Sequence, residues 1–107
     1  MLKKRNRLTK KEFDTVFSKG KRYHSPELQL IYQLSDTFHG SAVVGKKVYK
    51  KAVDRNKLRR RMYSILYQIK KEGKKTGTFI LIAKPTLTNV PKKNFSDCIE
   101  NVLKQVR

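Results

Sequence analysis

The 107-residue chain carries 27 Lys and Arg against 8 Asp and Glu, a formal net charge of +19 with a pI near 10.4. This length predicts one domain, residues 1–107, and the content of Leu, Ile, Val and Phe exceeds the roughly 20% below which disorder is expected. Because so many uncompensated positive charges attract polyanions, the charge favours nucleic acid as the partner.

A first helix is predicted over residues 9–19. Thr9 and Glu12 have the spacing of a capping box, in which each side chain bonds the backbone amide of the other residue. Apolar residues then recur on one helical face. Gly20 follows directly, and we expect it to end the helix in a left-handed conformation.

Two strands are predicted at residues 28–34 and 41–45, because both segments are rich in β-forming residues and a polar stretch separates them. This pattern is typical of a β-hairpin. A short additional strand is expected at residues 21–24, before Pro26.

A second, longer helix is predicted over residues 54–71, ended by Gly73. Its apolar residues have the spacing i, i+4, i+7, i+8, i+11 of one stripe, namely Leu58, Met62, Ile65, Leu66 and Ile69. The opposite side of this helix is polar, so the stripe is expected to face the core.

The remaining elements are a strand and a C-terminal helix. Residues 78–83 form a continuous apolar run stopped by Pro85, which predicts a buried strand. After Pro91, apolar positions repeat at helical spacing from Phe95 to Val106. We therefore expect an α+β fold with a single sheet of about four strands covered by three helices.

The sequence offers no membrane or export signal. Its longest unbroken apolar run, residues 79–83, is far shorter than the ~20 residues that span a bilayer. The residues after Lys3, Lys4 and Arg5 are polar, so no signal peptide is predicted and we expect a cytoplasmic protein without a membrane partner. The single cysteine, Cys98, excludes a disulfide within the chain and suits a reducing compartment.

No catalytic or metal site is predicted for the polypeptide itself. His24 and His39 lie among polar neighbours, with no Cys or carboxylate at metal-ligand spacing. Cys98 falls on the apolar stripe of the last helix, which is typical of a buried structural thiol. The carboxylates are scattered, and no glycine-rich phosphate loop occurs.

The positive charge is concentrated in residues 46–61, where nine cations accompany one acid, Asp54. On a helical wheel of about 100° per residue, the face opposite the apolar stripe holds Asn56, Arg60, Tyr63 and Tyr67, flanked by Lys57, Arg59 and Lys71. Cations suit phosphate oxygens and Tyr rings suit stacking on bases. Because a helix built for solubility mixes charge signs, this face predicts contact with nucleic acid. Arg55 lies nearer the apolar side.

A second surface involves Phe13, Phe17 and Tyr32. These aromatic residues suit the core between a helix and a sheet. They equally suit a groove in which the bases of single-stranded RNA stack. The residues alone leave both interpretations open.

The basic segment also carries a family resemblance. Residues 52–60, with Arg55-Asn56 followed by Arg59-Arg60, resemble the hallmark motif of the protein subunit of bacterial ribonuclease P. The resemblance runs nearly end to end, through residues 4–8, Phe13, Val16, Phe17, Gly20, residues 45–47 and residues 82–85. It implies a ribonucleoprotein in which a large RNA with bound Mg²⁺ removes the 5′ leader from precursor tRNA.

The resemblance also implies roles for individual residues. The surface that binds the catalytic RNA would comprise Lys46, Lys47, Arg55, Asn56, Lys57, Arg59 and Arg60, with Tyr63 replacing a family Arg and stacking instead. The groove for the precursor tRNA leader would comprise Phe13, Phe17 and Tyr32. The family fold further implies a left-handed crossover through the second helix, against the general handedness rule.

Two other classes of protein share some of these features. A structural RNA-binding protein, such as a small ribosomal protein, would have the same charge and fold class. A regulator that binds duplex DNA is disfavoured, because no second helix with a short connecting turn lies near the basic helix.

Overall fold

The computed structural model describes residues 8–72 and 76–106 and confirms an α+β architecture with one four-stranded sheet and three helices. In chain order the elements are α1 (Lys10–Lys19), β1 (Lys21–His24), β2 (Leu28–Gln33), β3 (Phe38–Val43), α2 (Ala52–Glu72), β4 (Gly77–Ala83) and α3 (Phe95–Leu103), with 3₁₀ turns at Pro85–Asn89 and Lys92–Asn94. The predicted helix end at Gly73 lies outside the described residues. No helix in the described ranges is long and apolar enough to cross a membrane.

The sheet has the strand order β1-β2-β4-β3. β2 pairs antiparallel with β1 and with β4, whereas β3 pairs parallel with β4. The predicted hairpin of β2 and β3 is therefore wrong, because β4 lies between them. Six of the seven residues of β4 are buried, and such a strand is most stable at the centre of a sheet that is covered on both faces.

The parallel pairing of β3 and β4 requires a crossover connection, and α2 provides it. α2 packs on β3, with Leu58, Met62, Leu66 and Ile69 buried against the sheet. This confirms the apolar stripe predicted for the helix. The left-handed sense of the crossover stays a prediction.

The two faces of the sheet bury different cores. Along β2, Leu30 and Tyr32 lie on the face of the larger core, to which α2 and α3 contribute. Ile31 points the other way and packs with Val16 of α1 and Ile80 of β4 in a smaller core. This alternation follows from the two-residue period of a strand.

α1 begins with the predicted capping box. The Glu12 amide donates to Thr9 Oγ1 at 3.3 Å, and the Thr9 amide donates to Glu12 Oε1 at 3.1 Å. These hydrogen bonds from Thr9 lower the pKa of the Glu12 carboxyl below its ordinary value. Leu8 and Phe13 pack against the smaller core on either side of the cap.

Gly20 ends α1 in a different way from that predicted. Its φ of −69° and ψ of 157° are extended rather than left-handed, so its backbone would suit any residue. The small space around Gly20, rather than its backbone conformation, excludes a side chain. A Cβ at this position would lie 2.7 Å from Ile31 Cγ2 and 2.7 Å from the Val16 carbonyl oxygen. Gly20 therefore permits the close approach of α1 to β2.

The close approach at Gly20 predicts that Gly20→Ala lowers the free energy of unfolding by about 1–3 kcal/mol, as in other overpacked sites. Gly45→Ala is the matched control, because a Cβ at Gly45 meets nothing within 4 Å. Urea denaturation of both variants measures the difference. Equal stability of the two would show that the contact at Gly20 is not limiting.

Candidate RNA interface

The basic segment forms the connection between β3 and α2 and the first half of α2. Lys46 and Lys47 are exposed in the turn, and Lys57 and Arg60 are exposed on the helix. In the described part of the chain, none of these four cations is paired with a carboxylate. Their positive charges are therefore directed at solvent, where a polyanion can reach them.

Asn56 and Arg59 form a pair on the surface of α2. Arg59 Nη1 donates to Asn56 Oδ1 at 2.7 Å, one turn apart on the helix. The bond uses one of the five donors of the guanidinium and orients the amide. The pair thus presents further donors at a fixed spacing, and both of its residues belong to the predicted RNA surface.

Arg55 has a structural role that the sequence pattern did not indicate. Its side chain is half-buried, and Nη1 donates to the carbonyl oxygens of Tyr49 at 3.1 Å and Lys50 at 2.6 Å. The guanidinium therefore ties the connection before α2 to the helix. Through this tie Arg55 positions the segment that carries Lys46 and Lys47.

Tyr63 and Tyr67 lie less freely on the surface than the helical wheel suggests. Both side chains are half-buried and pack against the larger core. A Tyr side chain has an apolar body and a polar tip, so it can rest on the core from the flank of a helix. Much of each ring is thereby used in packing.

Phe13 and Phe17 are adjacent on α1. Their rings stack with centroids 5.8 Å apart and an interplanar angle of 22°. Phe13 packs against the smaller core, whereas Phe17 is 39% exposed. The Arg22 guanidinium lies 4.7 Å from the centre of the Phe17 ring and donates to the Phe17 carbonyl oxygen at 2.9 Å. Sequence reasoning missed Arg22, although its pairing with Ile31 places it on the face that α1 covers.

Tyr32 does not join Phe13 and Phe17 in one groove. It lies on the opposite face of the sheet, where its ring is 5.1 Å from that of Phe79. Its hydroxyl donates to the Thr76 carbonyl oxygen at 3.3 Å. The structure therefore does not bring the three predicted groove residues together. Side chains along a strand alternate between the two faces of the sheet, and Ile31 is the β2 residue that faces α1.

The position of the Tyr32 ring also explains why residue 77 is a glycine. Gly77 has a φ of +123°, which side chains rarely tolerate, and a Cβ there would lie 2.5 Å from Tyr32 Cε1. Tyr32 thus covers the start of the central strand.

The described residues contain no group of three or more His, Cys, Asp or Glu that could hold a metal ion. His39 Nδ1 lies 3.3 Å from Thr37 Oγ1. Cys98 Sγ donates to Glu27 Oε1 at 3.7 Å. Burial, and then the neighbouring Glu27 carboxylate, raise the pKa of the Cys98 thiol. Cys98 is half-buried rather than buried as predicted, and its contact with Glu27 joins α3 to the residue before β2.

These observations define a small, strongly basic α+β protein whose turn and long helix offer a surface for nucleic acid. A family model described as Ribonuclease P matches residues 2–107. The chain is 30% identical to the ribonuclease P protein component of a Nitratiruptor species over 99 residues, 92% of this chain and 89% of that protein. It is 31% identical over 112 residues to the corresponding protein of a Pseudanabaena species, covering 100% and 96% of the two chains.

Solved structures have the same fold. The RNase P protein of Staphylococcus aureus superimposes with a TM-score of 0.83 at 22% identity, covering 95% of each chain. That of Thermotoga maritima gives 0.81 at 24% identity, covering 94% of this chain and 97% of that one. The chain belongs to the ribonuclease P protein family. Its partner is therefore an RNA, and it is the protein part of an endoribonuclease that processes tRNA.

The hydrogen bonds of Arg55 predict that Arg55→Ala lowers the free energy of unfolding by about 1.5–3 kcal/mol, the usual range for bonds to a charged group. Arg60→Ala removes the same side chain from the same helix at an exposed position. We expect it to change stability by no more than about 0.5 kcal/mol. Urea denaturation provides the comparison, and equal losses would contradict the positioning role of Arg55.

The raised pKa of Cys98 predicts slow alkylation. At a pH of about 8, we expect iodoacetamide to modify the folded protein more slowly than the protein in urea, because the thiolate is the reactive form. The rate in the folded state should rise only at a more alkaline pH than in the unfolded state. Identical alkylation rates in the folded and unfolded states would show that the fold does not protect Cys98.

Proposed function

We propose that the chain, acting as one RNA-binding domain of residues 1–107, binds the catalytic RNA of ribonuclease P and the 5′ leader of precursor tRNA. The RNA performs the phosphodiester hydrolysis. The observation that carries the proposal is the concentration of exposed cations, none with a carboxylate partner in the described ranges, on the turn before α2 and on α2 itself. Such a surface releases condensed counterions when it binds RNA.

The residues of this surface divide into three roles. Lys46, Lys47, Lys57 and Arg60 are exposed and meet phosphate oxygens directly. Asn56 and Arg59, already paired, add hydrogen-bond donors, and Tyr63 contributes the exposed part of its side chain. Arg55 holds the connection in place, so its contribution to RNA binding is largely through the position of the lysines.

The leader groove of this proposal consists of Phe13 and Phe17, with Arg22 in place of Tyr32. Phe17 remains 39% exposed beside Phe13, and exposed aromatic rings accept the bases of single-stranded RNA without sequence preference. The Arg22 guanidinium beside Phe17 supplies positive charge for the leader backbone. Tyr32 supports the sheet from its other face.

Mg²⁺ belongs to the RNA in this proposal. Because the described residues bring no three metal-ligating side chains together, we assign no protein ligand to the ion. When bound to the RNA, the metal would supply the attacking hydroxide and stabilise the leaving oxygen. The protein's part is to reduce phosphate repulsion and to position the leader.

Reconstitution tests the proposal. Cleavage of precursor tRNA by a bacterial ribonuclease P RNA at low Mg²⁺ concentration should be faster when the protein is added. The reason is that protein cations replace part of the counterion atmosphere on which RNA alone depends. A ribosomal protein of similar charge serves as the control for unspecific screening. An equal rate with and without this chain would end the assignment.

The exposed position of Arg60 predicts a change in salt dependence. Arg60→Ala should weaken binding to the catalytic RNA and reduce the slope of log K against log[salt] by about one for each lost phosphate contact. Lys104→Ala, an exposed cation at the far end of α3, is the control and should leave the slope unchanged. Binding titrations over a series of salt concentrations give both slopes. If the Arg60→Ala variant has the same slope as the unmodified protein, the RNA does not contact Arg60.

A further inference from the structure

A second polar stripe runs along α2 beside the proposed RNA surface. Lys57, Arg61, Ser64 and Gln68 recur at i, i+4, i+7 and i+11, one residue after the stripe that begins at Asn56. One residue corresponds to a rotation of about 100°, so the two stripes face different directions. This stripe faces the beginning of α3, and the proposed function assigns it no role beyond Lys57.

Arg61 is the central side chain of the stripe. Its guanidinium lies over the ring of Phe95, 5.5 Å from the centroid, and Phe95 is only 7% exposed. A buried ring beneath a guanidinium holds the cation in place by a cation–π contact. The contact favours this position of the guanidinium, while Arg61 remains half-exposed.

Two pockets meet at Arg61. One has a volume of about 450 Å³ and is lined on α2 by Lys57, Arg60 and Asp54, with Phe95 from α3. The other has a volume of about 230 Å³ and is lined by Ser64, Gln68, Lys93 and Ser96. Four cations and one carboxylate thus surround a pair of pockets that also offer hydroxyl and amide groups.

The chemistry of the two pockets selects an anionic ligand with flat, polar parts. A guanidinium plane supported from below can stack on a base, and the flanking cations are placed to contact phosphates on either side. Ser64, Gln68 and Ser96 provide donors and acceptors for a base edge or a 2′-hydroxyl. A duplex keeps its bases stacked inside, so only an unpaired nucleotide can enter a concave pocket in this way.

We propose that the junction of α2 and α3 binds an unpaired segment of RNA, with one base on Arg61 and the neighbouring phosphates at Lys57 and Lys93. The site rests on the proposed function only in that its ligand is RNA. It extends the RNA-binding surface around α2 onto a third element, α3.

The test uses the full chain labelled with ¹⁵N and two probes, a single-stranded octauridylate and an RNA duplex of the same length. The single strand should shift the backbone amide signals of Ser64, Gln68 and Ser96. Lys93→Gln should weaken the affinity read from these signals by about threefold to tenfold and reduce the salt slope by about 0.7, the value for one contact to a single strand. Lys104→Gln removes the same charge at the other end of α3 and should have no effect.

Arg61→Lys keeps the charge but removes the plane, so it should weaken the same binding while Lys57 and Lys93 remain. The inference is overturned if the three amides do not respond to saturating octauridylate, if the duplex shifts them equally, or if Lys104→Gln matches Lys93→Gln. The readout needs no catalytic RNA. Failure of the reconstitution would therefore remove the proposed function without touching this site, and failure here would leave the proposed function standing.

Discussion

The burial of β4 on both of its faces is the constraint on which the rest of the structure depends. A strand with six buried residues of seven must have a neighbour on each side and a cover above and below. β2 and β3 are the neighbours, α2 and α3 contribute to one cover, and α1 provides the other. Because β3 lies parallel to β4, the chain between them has to cross the sheet, and the basic segment is the part that crosses. The position of the proposed RNA-binding surface is thus a consequence of how the central strand is buried.

In the part of the chain that the structure describes, neutral groups hold four of the arginines in place. Backbone carbonyl oxygens hold Arg55, an amide oxygen holds Arg59, and aromatic rings hold Arg22 and Arg61. Such contacts fix a side chain without cancelling its charge. The protein therefore keeps a high positive potential together with ordered cationic groups, at the expense of self-repulsion in the free state. A partner RNA relieves that repulsion.

Local sequence patterns predicted the helices well, but they did not predict how strands that are distant in the sequence pair with one another. The capping box of Thr9 and Glu12 and the buried stripe of α2 depend on residues within a few positions of one another, and both are confirmed. The predicted hairpin was wrong because the sequences of β2 and β3 do not show that β4 lies between them in the sheet. The sequence did not show which face of β2 the Tyr32 side chain occupies, because a shift of one residue in register moves a side chain to the other face of the sheet. Gly20 was identified as the helix end, but its reason is the approach of Ile31, which comes from another element.

The sheet topology also has a consequence for how the chain folds. Among the described strands, only β1 and β2 form a local pair, whereas β2 pairs Leu28 with Ala83 and Gln33 with Thr78 across much of the sequence. Closing such long loops dominates the folding time of a small domain, since their entropy is lost before the contacts form. The net charge of +19 opposes that closure, because the compact state brings like charges closer together. Salt screens this repulsion, so the rate of folding would depend on the ionic strength.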